Sequence, residues 1–296
     1  MFIITDVNSR FGAKLALQLL RSGQKVRGVG NHRENLAYLK SEGMEIATGQ
    51  IVDPVFLASA FKDAHTLVLI APAPSNLESF SNTFHQVGSA ACKAIKDSKI
   101  NTIFFLSSMG VEQTSEAGLI LGLRDIEQQL DTLNTENVIY LHPGYFMEHT
   151  LSKISFIKQK DMIADSIDAQ TPLYMVSTED VANYVAEMIN KRNYYGRAIV
   201  ELYGDRLSYR KATKIIADSI GIPELPYVQL LDPEMRNELV ENGFSINMAN
   251  AYVEMSHALS RGALCPNLID KEVPNCPTRF TQFVNSIFVP AFKAAI

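Results

Sequence analysis

Three stretches of the sequence hold the side chains best able to do chemistry. The first, Thr5 Asp6 Val7 Asn8 Ser9 Arg10 Phe11 Gly12, follows an apolar run and opens a helical one. A strand-to-helix turn of this kind presents the first helical amides to an anion such as a nucleotide phosphate. At GxxGxxG spacing it carries Asp6, Ser9 and Gly12, so one glycine remains, and Asn8 or Ser9 would serve equally as an ordinary helix cap. The second is Ser107 Ser108 Met109, whose hydroxyls can hold a ring or a polar substrate group. The third is His142 Pro143 Gly144 Tyr145 Phe146 Met147 Glu148. Here His142 or Tyr145 can give a proton to an oxygen that gains charge in a reduction. Tyr145, Phe146 and Met147, with Ser108 and Met109, can floor a pocket for a flat ligand, and the same residues would serve equally as core between two structural units.

Other chemistries lack their residues. The six histidines form no HxH or HxxxH pair, and Cys92, Cys265 and Cys276 form no CxxC, so no metal site is expected. Neither GxSxG nor a P-loop occurs, and no Tyr is followed four residues later by Lys.

The elements that must position these residues are legible. β-rich runs at Phe2 to Thr5, Lys25 to Val29, Met44 to Ala47, Thr66 to Ile70, Asn101 to Leu106 and Val138 to Leu141 alternate with helical periodicity. Near-continuous apolar runs such as Leu67 to Ile70 suit strands covered on both faces. The expected fold is therefore a doubly wound α/β parallel sheet, with the three stretches at its carboxyl edge. After residue 150 the rhythm becomes a helix over Thr178 to Asn190, a strand over Ala198 to Tyr203 and a helix over Tyr209 to Ile220. Ser177 with Asp180 reads as a capping box, and Ser208 and Gly221 as the start and stop of the third of these. At 296 residues the chain is long enough for two units, 1–150 and a smaller α/β unit 151–296 that packs closely on the first or interleaves with it.

A net charge of -5 without a basic run disfavours direct nucleic-acid binding. The N-terminus lacks signal-peptide character, and no apolar run approaches the length of a membrane span. A cytoplasmic protein without a disulfide framework is expected.

The order and spacing of several segments resemble the NmrA-like group of atypical short-chain dehydrogenase/reductase proteins. They are Val26 Arg27, Gly49 to Pro54, Ala71 to Pro74, Leu106 to Gly110, His142 to Glu148, Val176 to Ala182 and Leu207 to Tyr209. The resemblance implies an NAD(P)-binding Rossmann domain with a smaller substrate or partner domain, in members that are either reductases, often of quinones, or redox-sensing regulators. On this basis the cofactor would meet Thr5, Asn8, Ser9, Arg10, Phe11, Gly12, Gln50, Ile51, Ala71, Pro72, Ser107, Pro143 and Tyr145. The chain departs from the family pattern where Asp6 and Ser9 replace glycines, Gln50 an aspartate and His142 an arginine. A carboxylate at Asp6 facing a phosphate at about 5 Å would cost roughly 3 kcal/mol.

At the end of the second strand stand Asn31, His32 and Arg33, with no acid to hold a ribose 2'-hydroxyl, which favours NADP(H) over NAD(H). The expected activity is NADP(H)-dependent reduction of a small quinone or carbonyl, with a small-molecule substrate as partner. The alternative is a non-catalytic redox-sensing or regulatory protein that binds NAD(P), or has lost cofactor binding, and passes its state to a protein partner.

Overall fold

The computed structural model describes residues 1–31, 36–267 and 276–295. The first half alternates β1 (Phe2–Ile4), α1 (Arg10–Arg21), β2 (Val26–Gly30), α2 (Ala37–Ser41), β3 (Glu45–Thr48), α3 (Pro54–Ala60), β4 (Thr66–Leu69), α4 (Phe80–Lys96), β5 (Thr102–Leu106), α5 (Ile120–Asp131) and β6 (Asn137–Pro143). All six expected strands enter one parallel sheet. With a later strand, β10 (Arg197–Leu202), at one edge, its order, β10-β6-β5-β4-β1-β2-β3, reverses direction at β1, the switch point at which doubly wound sheets bind ligands.

The alternation of side chains across each strand builds two cores. Ile4, Val68, Phe104 and Leu141 pack under α1 with Phe11, Leu15 and Leu19, while Ile3, Leu67, Phe105 and Val138 pack under α3, α4 and α5. Apolar residues recurring every three or four positions give α1 its buried stripe.

The chain then leaves the sheet and returns. β7 (Tyr145–Phe146) leads into a 3-10 helix (Met147–Ser152), α6 (Lys153–Lys160), β8 (Ile163–Asp165) and β9 (Pro172–Val176). α7 (Thr178–Lys191) and β10 (Arg197–Leu202) rejoin the first half. β10 pairs in parallel with β6, and Val181, Val185 and Met188 of α7 enter the α1 core. After these come β11 (Asp205–Ser208), α8 (Tyr209–Ile220), β12 (Tyr227–Gln229), α9 (Asp232–Glu241) and α10 (Ile246–Ser260). β11, β9 and β7 form one small sheet and β12 with β8 another, over a core that includes Met147, Leu173, Ile216 and Phe280.

Serine side chains start the helices as read from sequence. Ser208 Oγ accepts from the Lys211 amide, and Gly221 stops α8 at a φ of 79°. The capping box at Ser177 is half present: Ser177 Oγ accepts from the Asp180 amide at 3.1 Å. The Asp180 carboxylate does not turn back, because it accepts from the Thr278 amide and hydroxyl, both at 2.8 Å, and so anchors the C-terminal segment. Among the described residues no helix is long and apolar enough to cross a membrane.

Candidate functional site

The turn after β1 forms without its first glycine. Asp6 takes a left-handed φ of 43°, which Asp tolerates better than most residues, and its carbonyl accepts from the Ser9 amide at 2.9 Å. Ser9 caps α1 by accepting from the Gly12 amide at 3.1 Å. Gly12 is required here, since a Cβ would lie 2.8 Å from the Asp6 carbonyl oxygen. A Cβ on Gly30 would likewise collide with Asn8 Oδ1. Backbone at the β1 and β2 ends therefore stays close, as a phosphate cradle needs, although two of the three family glycines are absent. The Asp6 carboxyl makes no side-chain hydrogen bond among the described residues, and burial pushes its pKa up to about 6.

The other residues expected near a cofactor divide by what already occupies them. The Thr5 hydroxyl donates to Ile70 O at 2.9 Å and accepts from Ile70 N at 2.7 Å, so it ties β1 to the exit of β4. Phe11 is core, Ile51 is buried beneath Gln50, and Asn8, Arg10, Asn31 and Gln50 are exposed. Ala71 and Pro72 stand half-buried after β4. His32 and Arg33 lie outside the described residues. Ser107 is buried after β5; its amide donates to Leu141 O at 2.9 Å while its hydroxyl has no partner. An orphaned buried hydroxyl at a carboxyl strand end is a ready contact for a ligand. Ser108 Oγ donates to Met109 O, and the Met109 amide donates to Pro143 O, closing this rim.

Three candidates stand differently from the expectation. His142, one of the two candidate proton donors, points to the α5 side of β6, is 3% exposed, and meets Glu127 Oε1 through Nε2 at 2.8 Å. It lines a hollow of about 520 Å3 with Arg124, Tyr140 and Glu201, whose lining includes neither Ser107 nor Tyr145. Met109 and Met147 are core rather than pocket wall, at 2% and 0% exposure, because their long, flexible apolar side chains fold inward from the strand ends to fill the interior.

Tyr145 instead borders a polar cluster that no local spacing announces. Its ring meets those of His149 and Tyr209 edge-on, at 5.1 and 6.4 Å between centroids. Asp165, fully buried, accepts at Oδ2 from Lys153 Nζ at 2.7 Å, from the Tyr252 hydroxyl at 2.9 Å and from the Tyr209 hydroxyl at 3.3 Å. Its Oδ1 accepts from the Ser166 amide at 2.8 Å. Solvent reaches His149, yet crowding by protein and the charges of Arg10 and Lys153 push its pKa down to about 4. Glu148 fixes the segment by accepting from the Thr178 amide at 3.0 Å, at the start of α7. The one sequence hint of this cluster is an acid inside the apolar run Ile163 Ala164 Asp165 Ser166 Ile167. Among the described residues no group of three or more His, Cys, Asp or Glu is placed to hold a metal.

Strand order, first turn and strand-end residues together define a Rossmann-type α/β protein. Within that class, the sequence profile of the NmrA-like family matches residues 9–273, and the chain belongs to that family. No curated protein sequence matches it. Among solved structures it is similar to the NADPH-dependent quinone oxidoreductase of Escherichia coli complexed with NADPH, at 18% identity and a TM-score of 0.79 over 97% of this chain and 100% of that one. It is also similar to the triphenylmethane reductase of Citrobacter sp. complexed with NADP(H), at 15% identity and a TM-score of 0.80 over 96% and 99%. A nucleoside-diphosphate-sugar epimerase of Staphylococcus aureus gives 16% identity and a TM-score of 0.80 over 96% and 99%. At these identities the likeness is one of fold.

Proposed function

We propose that this protein is an NADP(H)-dependent reductase of a small quinone or carbonyl compound. The observation that carries the reading is the buried, partnerless Ser107 hydroxyl at the strand-five exit, on a rim that leads through Pro143 to the partly exposed Tyr145. A nicotinamide dinucleotide fits the residues present. The first amides of α1, with Asn8 and Arg10, would hold its phosphates, and Ala71, Pro72 and Ser107 would border its ring. Bound in reduced form, it supplies the hydride. The absence of an acid at Gly30 and Asn31 supports NADP(H) over NAD(H), as do the NADP(H)-bound reductases that share the fold.

Calorimetry with NADPH and NADH, followed by NADPH oxidation with a panel of quinones and aldehydes, tests this. Tighter binding of NADPH and slow turnover are expected. The partly buried Asp6 carboxyl in the cradle favours a second reading, a sensor that binds the dinucleotide without turnover and signals to a protein partner. NADPH binding with no oxidation by any acceptor would favour the sensor, and no binding would end both.

A further inference from the structure

Reduction of a carbonyl oxygen calls for a proton donor, and the chain has no Tyr with Lys four residues on. Folding brings a tyrosine and a lysine together another way. Tyr145 at β7 packs edge-on against Tyr209, whose hydroxyl donates to Asp165 as does Lys153 at the start of α6, so residues from four elements meet. We propose that Tyr145 is the proton donor to the acceptor oxygen, and that Tyr209, backed by the Asp165–Lys153 pair, is a positioning residue that steadies the tyrosinate left behind; the proposal rests on the reductase reading above.

The geometry around Asp165 carries the argument. Three donors, Lys153, Tyr252 and Tyr209, converge on Oδ2, an oxygen with two lone pairs. Tyr209 has the longest of these bonds, 3.3 Å, and its ring stands edge-on against that of Tyr145 at 6.4 Å between centroids. Its single proton can therefore turn from Asp165 to Tyr145 while Lys153, Tyr252 and the Ser166 amide keep the carboxylate satisfied. A buried ion pair adds little stability over apolar residues of the same volume, so stability alone does not account for this cluster. Burial and the Asp165 charge raise the Tyr145 phenol above the usual tyrosine range, and Tyr209 beside it acts in the opposite direction.

The step balances. Hydride from the reduced nicotinamide, with its electron pair, forms the new C–H bond, and the carbonyl π pair forms an O–H bond with the Tyr145 proton. Tyr209 turns its proton to the tyrosinate, and water on the solvent-reached side of His149 restores the lost proton.

Two measurements test the proposal. With an aldehyde acceptor, Tyr145→Phe is expected to lower kcat about a hundredfold or more while the NADPH Kd stays within roughly threefold. Tyr209→Phe is expected to lower kcat about tenfold, with acceptor KM little changed and a larger solvent deuterium effect. Independently of turnover, nucleotide-free protein is titrated with 4-nitrophenol, whose absorbance reports its ionisation. Bound to wild type it should lose its proton about one pH unit lower than when bound to Tyr145→Phe, with Tyr209→Phe between them. No binding to wild type, or identical titrations in wild type and Tyr145→Phe, would overturn the donor role. A positive 4-nitrophenol result from a protein that oxidises NADPH with no acceptor would remove the reductase reading and leave the phenol donor standing.

Discussion

Asp6 holds a position where the fold wants a glycine, and both consequences of that choice can be measured. Its backbone adopts the left-handed turn, while its carboxyl is pushed up to about 6 by burial. Because the folded value lies above the unfolded value near 3.9, the folded state binds the extra proton, so the stability this group contributes is complete below about pH 4 and is lost as pH rises through 6. Asp6→Asn keeps tolerance for the turn and removes the buried charge. It should raise stability by up to ~2 kcal/mol at pH 8 and by almost nothing at pH 4, as read from urea midpoints. At pH 8 the same substitution should also tighten NADPH binding tenfold to a hundredfold, the scale of a carboxylate–phosphate repulsion. Equal affinity would mean that the Asp6 carboxyl is turned from the phosphates. Residues at this scale were partly legible in the sequence. The strand-end placement of Ser107 and Tyr145 could be read because an apolar run stops beside each. The Asp165 cluster could not, since Tyr209 and Tyr252 lie 44 and 87 residues from it and only tertiary packing brings them together.

At the level of elements, local physics set most boundaries and tertiary contacts overrode it in one instructive place. Ser208, Gly221 and the apolar stripes of α1 and α8 act through their immediate neighbours, so sequence spacing found them. Asp180 did not obey its local pattern because Thr278, 98 residues away, offers two donors to its carboxylate. The capping serine and the anchoring aspartate should therefore separate experimentally. Ser177→Ala removes one cap bond and is expected to cost about 1 kcal/mol of global stability. Asp180→Ala keeps the Ser177 cap, which uses the Asp180 backbone amide, and releases the Thr278 contacts. Faster tryptic cleavage after Arg279 is expected in Asp180→Ala and not in Ser177→Ala, with a stability loss of about 1–3 kcal/mol from the buried groups left unpaired. Equal cleavage in the two variants would show that the anchor lies elsewhere, for instance in the Phe280 amide bond to Asp205.

For the whole molecule, the strand at residues 197–202 was readable as a strand, but its place beside β6 was not, because pairing partners some sixty residues apart leave no local trace. That pairing makes the two halves interdependent. All seven residues of β6 are buried, and β10 covers its outer edge. α7 supplies Val181, Val185 and Met188 to the core beneath α1. A fragment spanning residues 1–150 keeps the first turn and six of the sheet's strands but would expose the β6 edge and strip one wall from the α1 core. An apolar face and an open strand edge exposed together favour aggregation over a stable monomer. The fragment should therefore be recovered mainly as aggregate, or as a monomer without a cooperative urea transition, while the full chain unfolds cooperatively. A soluble 1–150 monomer with a sharp transition and near-native circular dichroism would show instead that the first half carries its own core and that β10 and α7 are additions to it. In that case its affinity for NADPH, measured beside the full chain, would tell whether the cradle needs Tyr145 and the elements behind it held in place, or the first turn alone.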